Sequence, residues 1–403
     1  MNNIPQRQAV IIIACATLLY ALTLGIRNTM PIFISPINTA TGLGLSTISF
    51  AFGVGQLFWG LTQPFAGMMT LRFGNVAVLW TGSLMLAAGT ALIPLSESPL
   101  MLILTVGVLS AGGAGLIGPS VVMASLNQLI TPDRRAMATS VVNAGGSLGQ
   151  FFIVPLAQMI ISGTGWMAAL LVLGAMATAI IPLARILRTS QEQAAAAPGE
   201  SANVRVQDAL RDRNFSLIAA GFFVCGFHVA FIATHLPGVV ALCGLPPEVG
   251  AWSLALIGLF NVAGSLFIGW AMRYWRSRTL LAIIYALRGL IVIGFMLAPK
   301  VPATFFIFAA FLGVTYLATV PPTAGLVAKF YGPRNMATLF GIVMLSHQVG
   351  SFTGAWLGGP AFAAAGHYDW MWYADIALAL FAALVNLPIR ESPPPLRQAV
   401  AAR

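Results

Sequence analysis

Long apolar runs, separated by short polar breaks, recur twelve times along this chain. In the first half they extend over Ala9 to Phe33, Ser46 to Leu71, Val76 to Leu95, Leu100 to Ser125, Ala136 to Ser162 and Trp166 to Ile186. The second half adds Phe215 to Ala241, Ala251 to Met272, Thr279 to Leu297, Ala303 to Phe330, Met336 to Ala365 and Met371 to Leu387. A helix needs about 20 apolar residues to cross a ~30 Å hydrocarbon core, so each run predicts one membrane span. Several exceed that minimum, which implies tilted or broken helices. The first run is too long for a cleavable signal core and lacks a small-residue cleavage pattern, so it is expected to remain as span 1.

Composition agrees with this pattern: 58% of the 403 residues are hydrophobic and 7% are charged. An ordinary soluble domain, at about 45–50% apolar and about 25% charged, is excluded. The formal net charge of +10 would raise the question of nucleic acid in a soluble protein, but here its placement reads as topology. The loops on one side carry Arg72, Arg134, Arg135, Arg273, Arg276, Arg278, Lys329 and Arg334. The 185–214 connector adds Arg185, Arg188, Arg205, Arg211 and Arg213, and the ends add Arg7, Arg390, Arg397 and Arg403. Of the remaining cations, Arg27 and Arg288 fall inside spans and only Lys300 falls on the other side. The positive-inside rule therefore predicts cytoplasmic termini in an inner-membrane protein. Cys15, Cys225 and Cys243 show neither a disulfide framework nor a CxxC metal pattern, and are expected to pack as free thiols.

The long polar interruption at 189–214 divides six spans from six. It predicts an N-terminal bundle (1–188), a cytoplasmic linker (189–214) and a C-terminal bundle with a short tail (215–403). A weak repeat near an offset of 200 relates the halves. Arg135-Ala-Met-Ala-Thr139 matches Arg334-Asn-Met-Ala-Thr338, and Gly67 matches Gly269. A chain of two repeated halves places its binding site near the midplane between them, as in alternating-access carriers.

Twelve spans, the central loop and Gly67-Met-Met-Thr-Leu-Arg72-Phe-Gly74 between spans 2 and 3 resemble the major facilitator superfamily, whose loop there reads G-x-x-x-D-R-x-G. Leu71 replaces the acid. The resemblance implies an all-α membrane fold of twelve transmembrane helices in two pseudo-symmetric six-helix bundles. Gln63-Pro64-Phe-Ala-Gly67 in span 2, and Arg27 followed by Pro31-Ile-Phe33, look like the monocarboxylate and oxalate/formate porter branch. The Asp and Arg that this branch often carries in span 8 are replaced here by Asn261 and Ser265. Span 4 lacks the arginine, and span 5 the Gly-Pro-x-x-Gly-Gly pattern, typical of drug antiporters in the superfamily.

A charge in the bilayer core costs ~2.5–3.5 kcal/mol on insertion scales, so intramembrane ionisable residues are functional candidates. They are Arg27 in span 1, His228 and His235 in span 7, Arg288 in span 9, His347 in span 11 and Asp375 in span 12. The resemblance places span 1 on the central cavity, and spans 2, 4, 5, 7, 8, 10 and 11 offer Arg27 no acid. Its planar fork suits a carboxylate; the alternatives are snorkelling or capping carbonyls at a broken helix. His228 and His235 lie two helical turns apart on one face, about 10 Å along the axis, and each titrates near neutrality. With His347 they are the candidates for a co-transported proton, against the alternative of neutral, packed histidines. With Arg27, His228 and His347, the neutral residues Tyr20, Gln56, Asn143, Gln150, Asn261, Tyr316 and Gln348 make up a candidate substrate site, although such neutral residues also join helices together.

Gly112-Gly-Ala-Gly115-Leu-Ile-Gly118-Pro119 and Tyr316-Leu-Ala-Thr-Val-Pro321-Pro322 predict breaks in spans 4 and 10, and Gly145-x-x-x-Gly149 predicts close helix contact. Arg288 and Asp375 are expected to form a structural ion pair between neighbouring outer helices.

The resulting expectation is a secondary carrier of a small organic anion, a monocarboxylate above all, coupled to protons. It is expected to be monomeric in the bilayer, without cofactor, metal or nucleic acid. One alternative is a carrier of larger amphiphilic metabolites such as siderophores or peptide-like compounds. Another is an intramembrane metal enzyme built on the histidines, which lacks HExxH spacing. No appended soluble domain supports a receptor, and no P-loop supports an ATP-driven pump.

Overall fold

The computed structural model describes residues 6–189 and 206–391. Most of the expected linker, 190–205 with Arg205, lies outside the described residues, as do Arg397 and Arg403 of the tail. Every regular element among the described residues is helical. In chain order these are α1 (Gln6–Thr41), α2 (Leu45–Phe73), α3 (Asn75–Leu95), α4 (Pro99–Leu129), α5 (Pro132–Thr164) and α6 (Trp166–Ile186). They continue with α7 (Arg213–Leu242), α8 (Pro247–Ala271), α9 (Ser277–Leu297), α10 (Pro302–Gly332), α11 (333–365) and α12 (Asp369–Asn386). The first ten contain segments long and apolar enough to cross a membrane. Helices α11 and α12 occupy the places of spans 11 and 12.

Local sequence explains where the helices stop. Gly74 (φ +82°) turns α2 into α3, and Gly332 (φ +77°) separates α10 from α11. A side chain at either position would be strained in this left-handed backbone. The breaks expected in spans 4 and 10 are both present. In α4 a π-helical stretch, Ile103–Ser110, leads into Ala111–Leu116, and the helix restarts with Pro119 in its first turn after extended Gly118. In α10 the first segment, Pro302–Thr315, stops at Tyr316 and the helix resumes at Val320 ahead of Pro321. Proline is tolerated in a first turn because its missing N–H has no partner there anyway.

The helix packing repeats between the halves. α1 packs on α5, α2 on α4 and α3 on α6; correspondingly α7 packs on α11, α8 on α10 and α9 on α12. Glycine lets two of these pairs approach closely. A Cβ at Gly149 would collide with the Ala21 carbonyl in the α1–α5 contact, and one at Gly350 with the Phe223 carbonyl in the α7–α11 contact. The bundles meet along two seams, α5 with α8 and α2 with α11. Large apolar residues stay exposed on the outer helices, among them Leu84, Leu171, Leu290 and Leu380. Water would penalise such a surface; lipid matches it.

Both seams are closed on the side away from the termini. Ser162 of α5 donates to Glu248 of α8 at 3.1 Å. On the other seam the Phe50 ring lies 5.7–5.8 Å from those of Phe352 and Trp356. Helix α2 buries Ile48, Ser49, Ala51, Phe52, Gly53 and Gly55 in its first half but only Ala66 in its second. The bundles therefore part toward the termini face, leaving a central cleft.

Candidate functional site

Arg27 sits on α1 just before the 3-10 turn Met30–Phe33, half-buried at the head of this cleft. Its Nη1 donates to Asn28 Oδ1 at 3.1 Å and its Nη2 to Gln56 Oε1 of α2. Its Cζ lies 4.4 Å from the centroid of the Trp59 ring, a cation–π contact one helical turn beyond Gln56. Tyr20 and Tyr316 are close enough to interact with it electrostatically. No ion pair links Arg27 to an acid among the described residues. Gln150 of α5 accepts from Asn28 Nδ2 at 2.8 Å and donates to the Leu254 carbonyl of α8 at 2.6 Å. Asn261 of α8 donates to Ser147 of α5 at 3.0 Å while its Oδ1 accepts the Leu317 N–H at the α10 break. Asn143 is exposed one turn beyond Ser147 toward the termini face. Gln348 is buried on α11 against Gly60, and its amide atoms, like Trp59 Nε1, have no hydrogen-bond partner. Tyr20, Gln56, Gln150, Asn261 and Tyr316 are thus gathered about Arg27 or on the seam beside it.

The histidines have different surroundings. His228 Nδ1 approaches Asp375 Oδ1 to 2.9 Å, with both side chains buried and no other hydrogen-bond partner for either. His235 is held by the Ala355 carbonyl at 2.8 Å and packed between Phe231 and Tyr368. The His347 ring lies 4.7 Å from that of Phe222, tilted by 46°, and faces Ser351. They do not converge, and no group of His, Cys, Asp or Glu suited to a metal occurs among the described residues.

The expected ion pair between Arg288 and Asp375 does not form. Arg288 Nη2 donates instead to the carbonyls of Thr315 and Tyr316, and Nη1 lies 3.5 Å from Cys225 Sγ. The break in α10 leaves those carbonyls without helical partners, and a fixed cation satisfies them where no water reaches. Asp375 turns to His228.

A central cleft between two repeated bundles, with a polar cluster at its head, is the arrangement of a solute carrier. The sequence model of the Major Facilitator Superfamily matches residues 13–303 and 252–403. The chain belongs to the major facilitator superfamily. This facilitator is 24% identical over 354 residues to the MFS-type transporter YcxA of Bacillus subtilis, covering 83% of this chain and 84% of that one. It is 23% identical to monocarboxylate transporter 13 of Bos taurus (86% and 81% covered). It is 25% identical to the oxalate:formate antiporter of Oxalobacter formigenes (61% and 59% covered). Its fold matches that of a bacterial homologue of the human lysosomal transporter Spinster in an inward-facing, occupied conformation. The TM-score is 0.74 at 15% identity, over 97% of this chain and 100% of that one. The protein is therefore a multi-pass membrane transporter for a small molecule, not an enzyme.

Sequence reasoning overlooked several residues of the facilitator's cluster. Trp59 follows Gln56 by three positions and so shares its helix face, a signal that was legible. Asn28 adjoins Arg27. Ser147 carried no such signal, because it meets Asn261 only through the docking of separate helices.

Proposed function

We propose that the protein moves a small organic anion, a monocarboxylate above all, across the inner membrane by alternating access coupled to proton movement. The observation that carries this reading is Arg27, a cation in the central cleft with neutral side chains as its partners. A carboxylate competes well for its Nη donors, because charge-assisted hydrogen bonds are stronger than those to amide oxygens. Trp59 Nε1 and the Gln348 amide are further polar groups beside it that are buried without a hydrogen-bond partner. The resemblance to monocarboxylate and oxalate:formate transporters supports the same substrate class.

The two bundles, 1–188 and 215–403, rock about this site as a monomer, with 189–214 as the cytoplasmic connector. Loop arginines set the termini in the cytoplasm, so the described conformation is open inward. His228 takes the proton, supported by Asp375. Asp375, buried with it at 2.9 Å, is the counter-charge that meets a proton on the ring. His235 and His347 act in packing. The deciding experiment is binding of radiolabelled formate, oxalate, lactate and pyruvate to purified protein and to Arg27→Ala. Binding by the first and loss in the second support the proposal; equal binding by both overturns the role of Arg27.

A further inference from the structure

One hydrogen-bond chain leaves the Arg27 site and ends in the opposite bundle. Arg27 Nη1 donates to Asn28 Oδ1 (3.1 Å), Asn28 Nδ2 to Gln150 Oε1 (2.8 Å), and Gln150 Nε2 to the Leu254 carbonyl (2.6 Å). Every bond points the same way, so each amide that accepts from the residue before it donates to the next. Such head-to-tail chains polarise cooperatively and fix the orientation of every member. Gln150 is 6% exposed, which makes loss of its partners costly. The chain crosses from α1 through α5 to α8, one of the two seams along which the bundles meet.

We infer that Asn28 and Gln150 form a relay that couples occupancy of Arg27 to the α5–α8 seam, so that an anion on the guanidinium loosens the closed face. An incoming carboxylate takes Nη1 from Asn28. The Asn28 amide, no longer held at its oxygen, ceases to orient Gln150, and the bond to Leu254 loses its fixed donor. Asn28 and Gln150 are positioning residues here and need not touch the solute. The functional sense of the relay rests on the proposed role of Arg27; its mechanical sense does not.

The test uses this separation. Spin labels are placed at exposed positions 163 and 247, on the closed face of α5 and α8, in the full chain carrying Cys15→Ser and Cys243→Ser and reconstituted without solute. Arg27→Ala and Asn28→Ala are each expected to raise the population of long inter-label distances about two- to tenfold, the range of one neutral hydrogen bond. The double variant should show no further increase, because both cut one chain. Gln150→Met, which leaves the Arg27–Asn28 contact in place, should give the same shift and serves as the second cut if Asn28→Ala does not fold. Unchanged distances in both Asn28→Ala and Gln150→Met, or additive effects of Arg27→Ala and Asn28→Ala, overturn the relay. The anion-binding assay reads Arg27 separately: a coupled seam with undiminished anion binding in Arg27→Ala keeps the mechanical relay and refutes the substrate reading.

Discussion

At the scale of single residues, a side chain's role follows from what it has for a partner. Arg27 has amides and an aromatic face, so its truncation orphans no buried counter-charge. Arg27→Ala is expected to keep its expression and melting temperature while weakening anion binding roughly ten- to a hundredfold, the equivalent of a charge-assisted bond of ~1.5–3 kcal/mol. Lysine should recover part of this, since it keeps the charge and loses the fork; isothermal titration of both variants measures it. His228 and Asp375 form the other informative pair. His228→Gln and Asp375→Asn should each abolish accumulation driven by a pH gradient in proteoliposomes and retain solute exchange without a gradient. Gradient-driven uptake that survives in both places coupling on the solute's own proton or on another ion.

Among helices, the breaks and the close contacts matter most. Arg288 is fully buried and caps the α10 break, so Arg288→Ala leaves the Thr315 and Tyr316 carbonyls without their donor. A loss of about 2–5 kcal/mol is expected, read as a lower melting temperature in detergent. Exchanging the charges of Arg288 and Asp375 should not rescue it, because the two are not partners; recovery in the double variant would restore the ion pair. The α1–α5 contact offers a second check. Gly149→Ala forces a methyl group against the Ala21 carbonyl and should destabilise by about 1–3 kcal/mol, whereas alanine at open Gly163 should be neutral.

For the whole molecule, transport requires the closed face to open. Ser162 and Glu248 meet across the α5–α8 seam there, both near the surface. A Ser162→Cys/Glu248→Cys pair should cross-link on oxidation, stop transport, and regain it on reduction. Full transport by the cross-linked protein would mean that this seam stays shut throughout the cycle. Reciprocal labelling of cysteines at the two ends of α1 and α7 on adding solute reports the rocking of the bundles directly.

Much of this was legible in the amino-acid sequence. Hydrocarbon thickness sets the length of an apolar run, glycine and proline mark the breaks in α4 and α10, and an arginine inside such a run is conspicuous because burying it is costly. Those signals are local, or need only a count along the chain. The partners of the buried charges were not legible. Arg288 and Asp375 lie on neighbouring helices and invited pairing, yet α10 presented carbonyls to the first and α7 a histidine to the second. The same holds for Asn28, Gln150 and Leu254, which share no pattern in the sequence. Which side chains meet depends on the depth and axial rotation of each helix, and those are settled only when all the helices pack together.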